Sequence, residues 1–267
     1  MLKISEGRTA EIFEQEPGKI LKLYRSGFPP EAIRYEYEMN QAIASCGVPA
    51  PRTYDLIHFE QRDGIVFERV EGSTFLSRMV QYPDDLDRLS KAFADLHYQV
   101  HSYKLDENKK SSIVKQKVIL ARNIQNAWQL SDDVKKKIID VLERLPDGDC
   151  LCHGDFHPDN VIVGERRWVI DWMTGMVGNP AGDVARTVLL FRFGTLPDEA
   201  PRAVKEALQL MSTKISRIYL ERYLSCSGLP FSDIDEWMLP IAAARLSEWI
   251  PDREKQLLLN LIEERLS

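Results

Sequence analysis

The 267-residue chain is 44% hydrophobic and 28% charged, with a formal net charge of −6 and a pI near 5.5. That composition is ordinary for a folded chain, and the acidic balance argues against nucleic acid as a partner. No uncharged apolar run approaches the roughly 18 residues of a membrane span. The opening Met1-Leu2-Lys3-Ile4-Ser5-Glu6 lacks the apolar region of a secretory signal. Cysteines at 46, 150, 152 and 226 form no CxxC pair, so they do not make a disulfide framework. The expectation is a cytoplasmic protein with reduced thiols and no membrane partner.

Residues 3–24 read as short strands broken by Gly7 and Pro17-Gly18. Within them Lys19-Ile20-Leu21-Lys22-Leu23-Tyr24 alternates polar and apolar residues, the pattern of a half-buried strand. Pro29-Pro30-Glu31 opens a helix in which Ile33, Glu36, Tyr37 and Asn40 recur at helical spacing. It should end near Cys46-Gly47, since Pro49 and Pro51 block continuation. Strands follow at about 52–60 and 64–70, with Arg62-Asp63-Gly64 as the turn signal. From Asp84 to His101 the apolar residues Leu86, Leu89, Phe93, Leu96 and Val100 share one helical face. Helical patterns continue through 113–145, residues 150–171 read as strand and loop, and helices resume after Pro197. A small strand-rich lobe, 1–67, thus precedes a larger helical lobe, 73–267, across a connector at 68–72.

The chemistry concentrates in His153-Gly154-Asp155-Phe156-His157-Pro158-Asp159-Asn160. Two apolar triplets follow, Val161-Ile162-Val163 and Trp168-Val169-Ile170, around Gly164-Glu165-Arg166-Arg167. This is a hairpin signal. Pairing Val163 with Trp168 would put Asn160 opposite Asp171, with Cβ atoms about 4.5–5.5 Å apart. An amide oxygen beside a carboxylate suits Mg²⁺, which takes hard oxygen ligands and keeps waters and phosphates in its shell. Asp155 is then left to accept a proton. Taken singly, Asp155, Asn160 and Asp171 are ordinary turn and cap residues, and it is their spacing as a set that argues for a site. His97 and His101 form an i, i+4 pair with metal-ligand spacing, but packing or local capping accounts for them better. A zinc reading of Cys152, His153 and His157 lacks a second ligand group.

The H-G-D-x-H-x-x-N run at 153–160, the short hairpin and Ile170-Asp171-Trp172 resemble the aminoglycoside phosphotransferase and choline kinase-like family. The resemblance implies an α+β, bilobal protein-kinase-like fold: a small β-rich N-lobe with one helix and a larger, mainly helical C-lobe. It implies Mg²⁺-dependent transfer of the γ-phosphate of ATP or GTP to a hydroxyl of a small molecule. Asp155 would be the base, Asn160 and Asp171 the Mg²⁺ ligands, and His153 a brace for the loop. Lys22 matches the lysine that holds the α/β-phosphates, and Glu36 its helix partner, with Glu38 as the alternative. Main-chain groups of Glu68 and Val70 would read the purine, and Asp183 would support the catalytic loop.

There are departures from the kinase pattern. Neither GxxxxGK[ST] nor GxGxxG occurs, and only Gly7-Arg8-Thr9-Ala10 stands where a phosphate-covering turn belongs. Few residues separate Asp171 from Asp183 and no Ala-Pro-Glu follows, which disfavours a protein kinase. A nucleotide-binding pseudokinase or scaffold is the alternative of a different class. Asp233, Asp235, Glu236, Glu248 and Asp252 would suit a cationic acceptor, an aminoglycoside or amino alcohol. Monomer and homodimer are both compatible with the sequence.

Overall fold

The alternation in 19–24 becomes the third strand of a five-stranded antiparallel sheet. Its strands are β1 (Leu2–Glu6), β2 (Ala10–Glu16), β3 (Lys19–Tyr24), β4 (Thr53–Phe59) and β5 (Arg62–Glu68), in the spatial order β1-β2-β3-β5-β4. This computed structural model describes residues 1–106, 110–195 and 202–267, so the expected helix start at Pro197 lies outside the described residues. On one face of the sheet, Leu21 and Leu23 pack with Val66. On the other, Ala10, Tyr24, Ile65 and Phe67 pack with Ile33 of helix α1 (Pro30–Ala44). Side chains alternate along a strand, so Lys22 shares the face of Ile20 and Tyr24 and meets α1.

The β4–β5 connection differs from expectation. Glu60 and Gln61 take positive φ of 48° and 61°, the signature of a two-residue hairpin turn. Gly64 lies in the ladder opposite Leu23. A Cβ there would sit 2.8 Å from Leu21 Cδ1 and 3.0 Å from the Lys22 carbonyl, so the glycine serves strand packing and not the turn.

By its packing the chain divides into two compact units: Met1–Gln81 with Tyr103–Ile113 and Pro158–Gly175, and Tyr82–Ser102 with Val114–His157 and Met176–Ser267. The first unit therefore includes helix α2 (Phe75–Gln81) and a small sheet of β6 (Ser73–Thr74), β8 (Val161–Val163) and β9 (Arg167–Val169). The linear division had assigned these segments to the helical lobe.

The second unit holds seven helices among the described residues: α3 (Leu86–Ser102), α4 (Gln116–Asn126), α5 (Asp132–Arg144), α6 (Pro180–Phe193), α7 (Arg202–Ser227), α8 (Phe231–Arg245) and α9 (Asp252–Leu266). It also pairs β7 (Cys150–Cys152) with β10 (Met176–Gly178). Helix α6 is a finding the sequence reading lacks. It is buried nearly all round, so it has no amphipathic stripe to detect. Its start was nonetheless marked, with Pro180 in the first turn and Asn179 Oδ1 accepting from the Ala181 N–H at 2.9 Å. No helix among the described residues is long and apolar enough to cross a membrane.

Candidate active site

Lys22 is the centre of the first unit's polar cluster. Its Nζ donates to Glu36 Oε1 at 2.7 Å and Oε2 at 3.0 Å, and to Asp171 Oδ1 at 2.7 Å. Glu36 on α1 is buried, whereas Glu38 is exposed. Tyr24, two residues along β3, donates its hydroxyl to Glu36 Oε2. Burial alone would lower the Lys22 pKa, but Glu36 and Asp171 hold it well above the ordinary lysine value, so the ammonium stays charged. Burial pushes the Glu36 carboxyl up, against the pull of Lys22.

The β8–β9 hairpin has a register one residue away from the expected one. Val161 pairs with Val169, Ile162 with Trp168 and Val163 with Arg167. The Gly164 N–H closes on the Arg166 carbonyl at 2.9 Å, which shortens the loop to three residues. The Arg166 guanidinium stacks 3.6 Å above the Trp168 ring. A one-residue slip exchanges the faces of a strand, and Asn160 accordingly faces Ile170, whose N–H donates to the Asn160 carbonyl at 2.9 Å. The expected Asn160–Asp171 cross-strand pair is therefore overturned. Asp171 is the first residue past the ladder and bends the chain with φ 63° and ψ 59°, a left-handed conformation costly for a residue with a side chain. That bend and Lys22 orient its half-exposed carboxylate. Asn160 is buried.

The Glu68 N–H donates to the Arg52 carbonyl at 2.8 Å, but the Arg52 N–H goes to Glu68 Oε2 at 3.1 Å and not to the Glu68 carbonyl. The half-buried Val70 makes no hydrogen bond among the described residues. Beyond them Gly72, at φ 152°, lies so close to the hairpin that a Cβ would meet the Val163 carbonyl at 2.6 Å, so only glycine fits. At the β1–β2 turn the Gly7 N–H donates to the Ala10 carbonyl at 2.8 Å, and Arg25 braces the carbonyls of Gly7 and Arg8 at 3.0 and 3.1 Å.

In the second unit Asp183 organises the loop that carries Asp155. Asp183 Oδ2 accepts from the His153 N–H at 2.7 Å, and Oδ1 from the Gly154 N–H at 2.8 Å. Nε2 of His97 and of His101 each lie 3.1 Å from Oδ2. Their Nδ1 atoms are 2.6 Å from the hydroxyls of Tyr219 and Tyr223 on α7. Neutral imidazoles satisfy all of this, donating from Nε2 and accepting at Nδ1. Burial would raise the Asp183 pKa, yet the donors around it hold it well below the carboxylate range. His153 is fully buried, and its Nδ1 accepts from the Asp155 N–H at 3.2 Å.

Asp155 itself is half-buried. Arg186 donates to Oδ1 at 3.2 Å, and His157 Nε2 lies 3.4 Å from Oδ2. Burial would push this carboxyl up, but His157 and Arg186 hold it far below the usual range, so it is ionised. Arg186 was not anticipated, and the only sequence signal for it is its place one helical turn after Asp183. Three of the five acidic residues expected to attract a cationic acceptor already carry cations. Glu248 binds Arg186 and Arg245, Asp235 binds Arg265, and Asp252 binds Lys255.

The model of the phosphotransferase enzyme family matches residues 3–215, and the chain belongs to that family. Three solved structures share the fold. A thermostable mutant of aminoglycoside phosphotransferase APH(4)-Ia is 18% identical, with TM-score 0.61, covering 99% of this chain and 88% of that one. The aminoglycoside-3'-phosphotransferase of type VIII is 17% identical, with TM-score 0.63 and coverage of 95% and 92%. The streptomycin-ATP-APH(2")-IIa ternary complex is 16% identical, with TM-score 0.61 and coverage of 98% and 90%. Among curated proteins, acyl-CoA dehydrogenase family member 10 of Mus musculus is 26% identical over an alignment of 227 residues that covers 77% of this chain. The match spans only 21% of that relative's length. Fold and family together give this chain the α+β, kinase-like architecture of a member of the phosphotransferase enzyme family.

Proposed function

We propose that this protein transfers the γ-phosphate of ATP to a hydroxyl of a small molecule in a Mg²⁺-dependent reaction. The observation that carries this reading is the triple contact of Lys22 with Glu36 and Asp171 in the first unit, taken with a loop of the second unit in which Asp155 is kept ionised. Phosphoryl transfer needs positioning and charge neutralisation more than covalent chemistry. Lys22 holds the α/β-phosphates, and the Glu68 carbonyl and Val70 N–H read the adenine edge. The ATP in the ternary complex of the streptomycin-binding neighbour supports ATP as the nucleotide.

Asn160 and Asp171 would hold Mg²⁺. An amide and a carboxylate are hard oxygen donors that fit this ion, and the ion supplies neutralisation of phosphate charge. Asp155 takes the proton of the acceptor hydroxyl, a role worth roughly 10²–10⁴-fold in rate. Asp183, His97, His101 and His153 hold its loop in place. Since Asp235, Glu248 and Asp252 are ion-paired, the acceptor is defined by its hydroxyl and need not be cationic.

Calorimetric titration with Mg·ATP, followed by an ADP-release screen over aminoglycosides, amino alcohols, sugars and nucleosides, tests this. Binding with turnover on one class supports the kinase, absence of nucleotide binding sinks it, and binding without turnover on any class favours the pseudokinase.

A further inference from the structure

Arg186 lies on α6 and binds two carboxylates from different parts of the second unit. Its Nη2 donates to Asp155 Oδ1 at 3.2 Å and to Glu248 Oε2 at 2.9 Å, and its Nη1 lies 2.7 Å from Glu248 Oε1. Glu248 follows α8 and also accepts from Arg245 Nη1 at 2.8 Å, while Arg245 Nε donates to Glu254 on α9. The charges alternate along Glu254, Arg245, Glu248, Arg186 and Asp155. Arg186, Arg245 and Glu254 are 8%, 7% and 2% exposed, and Arg186 Nε has no hydrogen-bond partner among the described residues. Burying a guanidinium this way is costly, and an apolar side chain of similar volume would serve packing as well or better. The arrangement therefore points to a role beyond stability. The planar fork of an arginine fixes a direction that a lysine ammonium does not.

The main chain of Asp155 is already fixed, because its N–H donates to His153 Nδ1 and the preceding Gly154 and His153 N–H groups bind Asp183. What remains to be set is rotation of the carboxylate, which Arg186 holds at Oδ1 and His157 Nε2, 3.4 Å from Oδ2, borders on the other side.

We propose that Arg186, clamped by Glu248, is a positioning residue for phosphoryl transfer that sets the rotation of the Asp155 carboxylate. The proposal rests on Asp155 being the base. In the step it serves, the acceptor oxygen bonds to the γ-phosphorus and the bond from that phosphorus to the bridging oxygen breaks. The hydroxyl proton passes to Asp155, and ADP leaves with the electron pair. Arg186 exchanges neither proton nor electrons. A misplacement of about 1 Å in such a group costs on the order of 10²-fold in rate, so Arg186 should act on kcat and not on nucleotide binding.

The test uses the full chain with Mg·ATP and water as the acceptor, read as ADP release. R186M is expected to lower kcat about 10- to 100-fold while KM for ATP stays within about twofold. R186K should recover part of the loss, and E248Q should show a smaller loss of the same kind. The deciding readout is a double-mutant cycle: on the D155N background R186M should cost no further rate, because the arginine acts through Asp155. An R186M loss of equal size with and without Asp155, or an undiminished R186M rate, overturns the positioning role. If R186M does not fold, R186K and E248Q carry the same cycle. A wild-type chain that binds no Mg·ATP, by contrast, overturns the kinase reading itself.

Discussion

Lys22 and Asp171 are 149 residues apart in sequence, yet Lys22 Nζ donates to Asp171 Oδ1 at 2.7 Å. The same ammonium group holds Glu36. One buried cation thus ties β3, helix α1 and the bend after β9 together, and so supports the fold of the first unit.

Lys22→Met is expected to have two separable effects. Nucleotide affinity should fall at least about tenfold, the 1.4 kcal/mol scale of a lost charge-assisted contact. Stability should fall by about 3–5 kcal/mol, because Glu36 is left buried without its cation. Adding Glu36→Gln should restore much of the stability and none of the affinity. Denaturant unfolding and Mg·ATP calorimetry on the three variants check this, and a double variant as unstable as the single one would contradict it.

Asp155→Asn removes the proposed proton acceptor but keeps shape. We expect kcat to drop roughly 10²–10⁴-fold with the Kd for Mg·ATP changed less than about twofold. A single-turnover assay beside an equilibrium titration separates the two. A rate within about threefold of wild type would assign the proton to another group.

The sequence exposed the 153–160 loop because H-G-D-x-H-x-x-N is contiguous, and a contiguous motif needs no knowledge of packing. Lys22 and Glu36 came from the family resemblance, and the structure brings the two side chains into contact. The sequence failed at the hairpin, where one residue of loop length decides the register and Gly164 closes on Arg166 instead of spanning four residues. It failed at α6, whose burial on all sides erases the periodicity that reveals a surface helix. It could not find Arg186, the pairing of Glu248 with it, or the tyrosine partners of His97 and His101. Tyr219 and Tyr223 lie 122 residues from those histidines, and no local pattern encodes such a pairing.

The pH dependence of stability should report His97. Burial, with His101 adding to it, lowers its pKa to about 3, against the favourable bond to Asp183. The groups around it are His101 on α3, Asp183 on α6, Tyr219 on α7 and His153 of the loop. The unfolded chain titrates this histidine near pH 6.5, so between about 6.5 and 3 it binds the extra proton. Stability is therefore full above pH 6.5 and falls as the pH drops, by up to about 1.4 kcal/mol per pH unit for this group. His97→Gln should be less stable at pH 8 and show a slope smaller by one proton. Urea unfolding in a pH series measures both, and equal slopes in the two proteins would exclude His97 as the source.

Val70 offers a sharper test of the purine contact, because the contact is assigned to the main chain. Val70→Ala should leave the Kd for Mg·ATP within about twofold, since no side-chain hydrogen bond is lost. Val70→Pro removes the N–H and should weaken binding about tenfold, the 1.4 kcal/mol of one hydrogen bond. Since that N–H has no partner among the described residues, the proline breaks no internal bond. Its effect should therefore be larger in the nucleotide titration than in thermal unfolding without nucleotide. Equal affinities for the alanine and proline variants would move the adenine contact away from Val70.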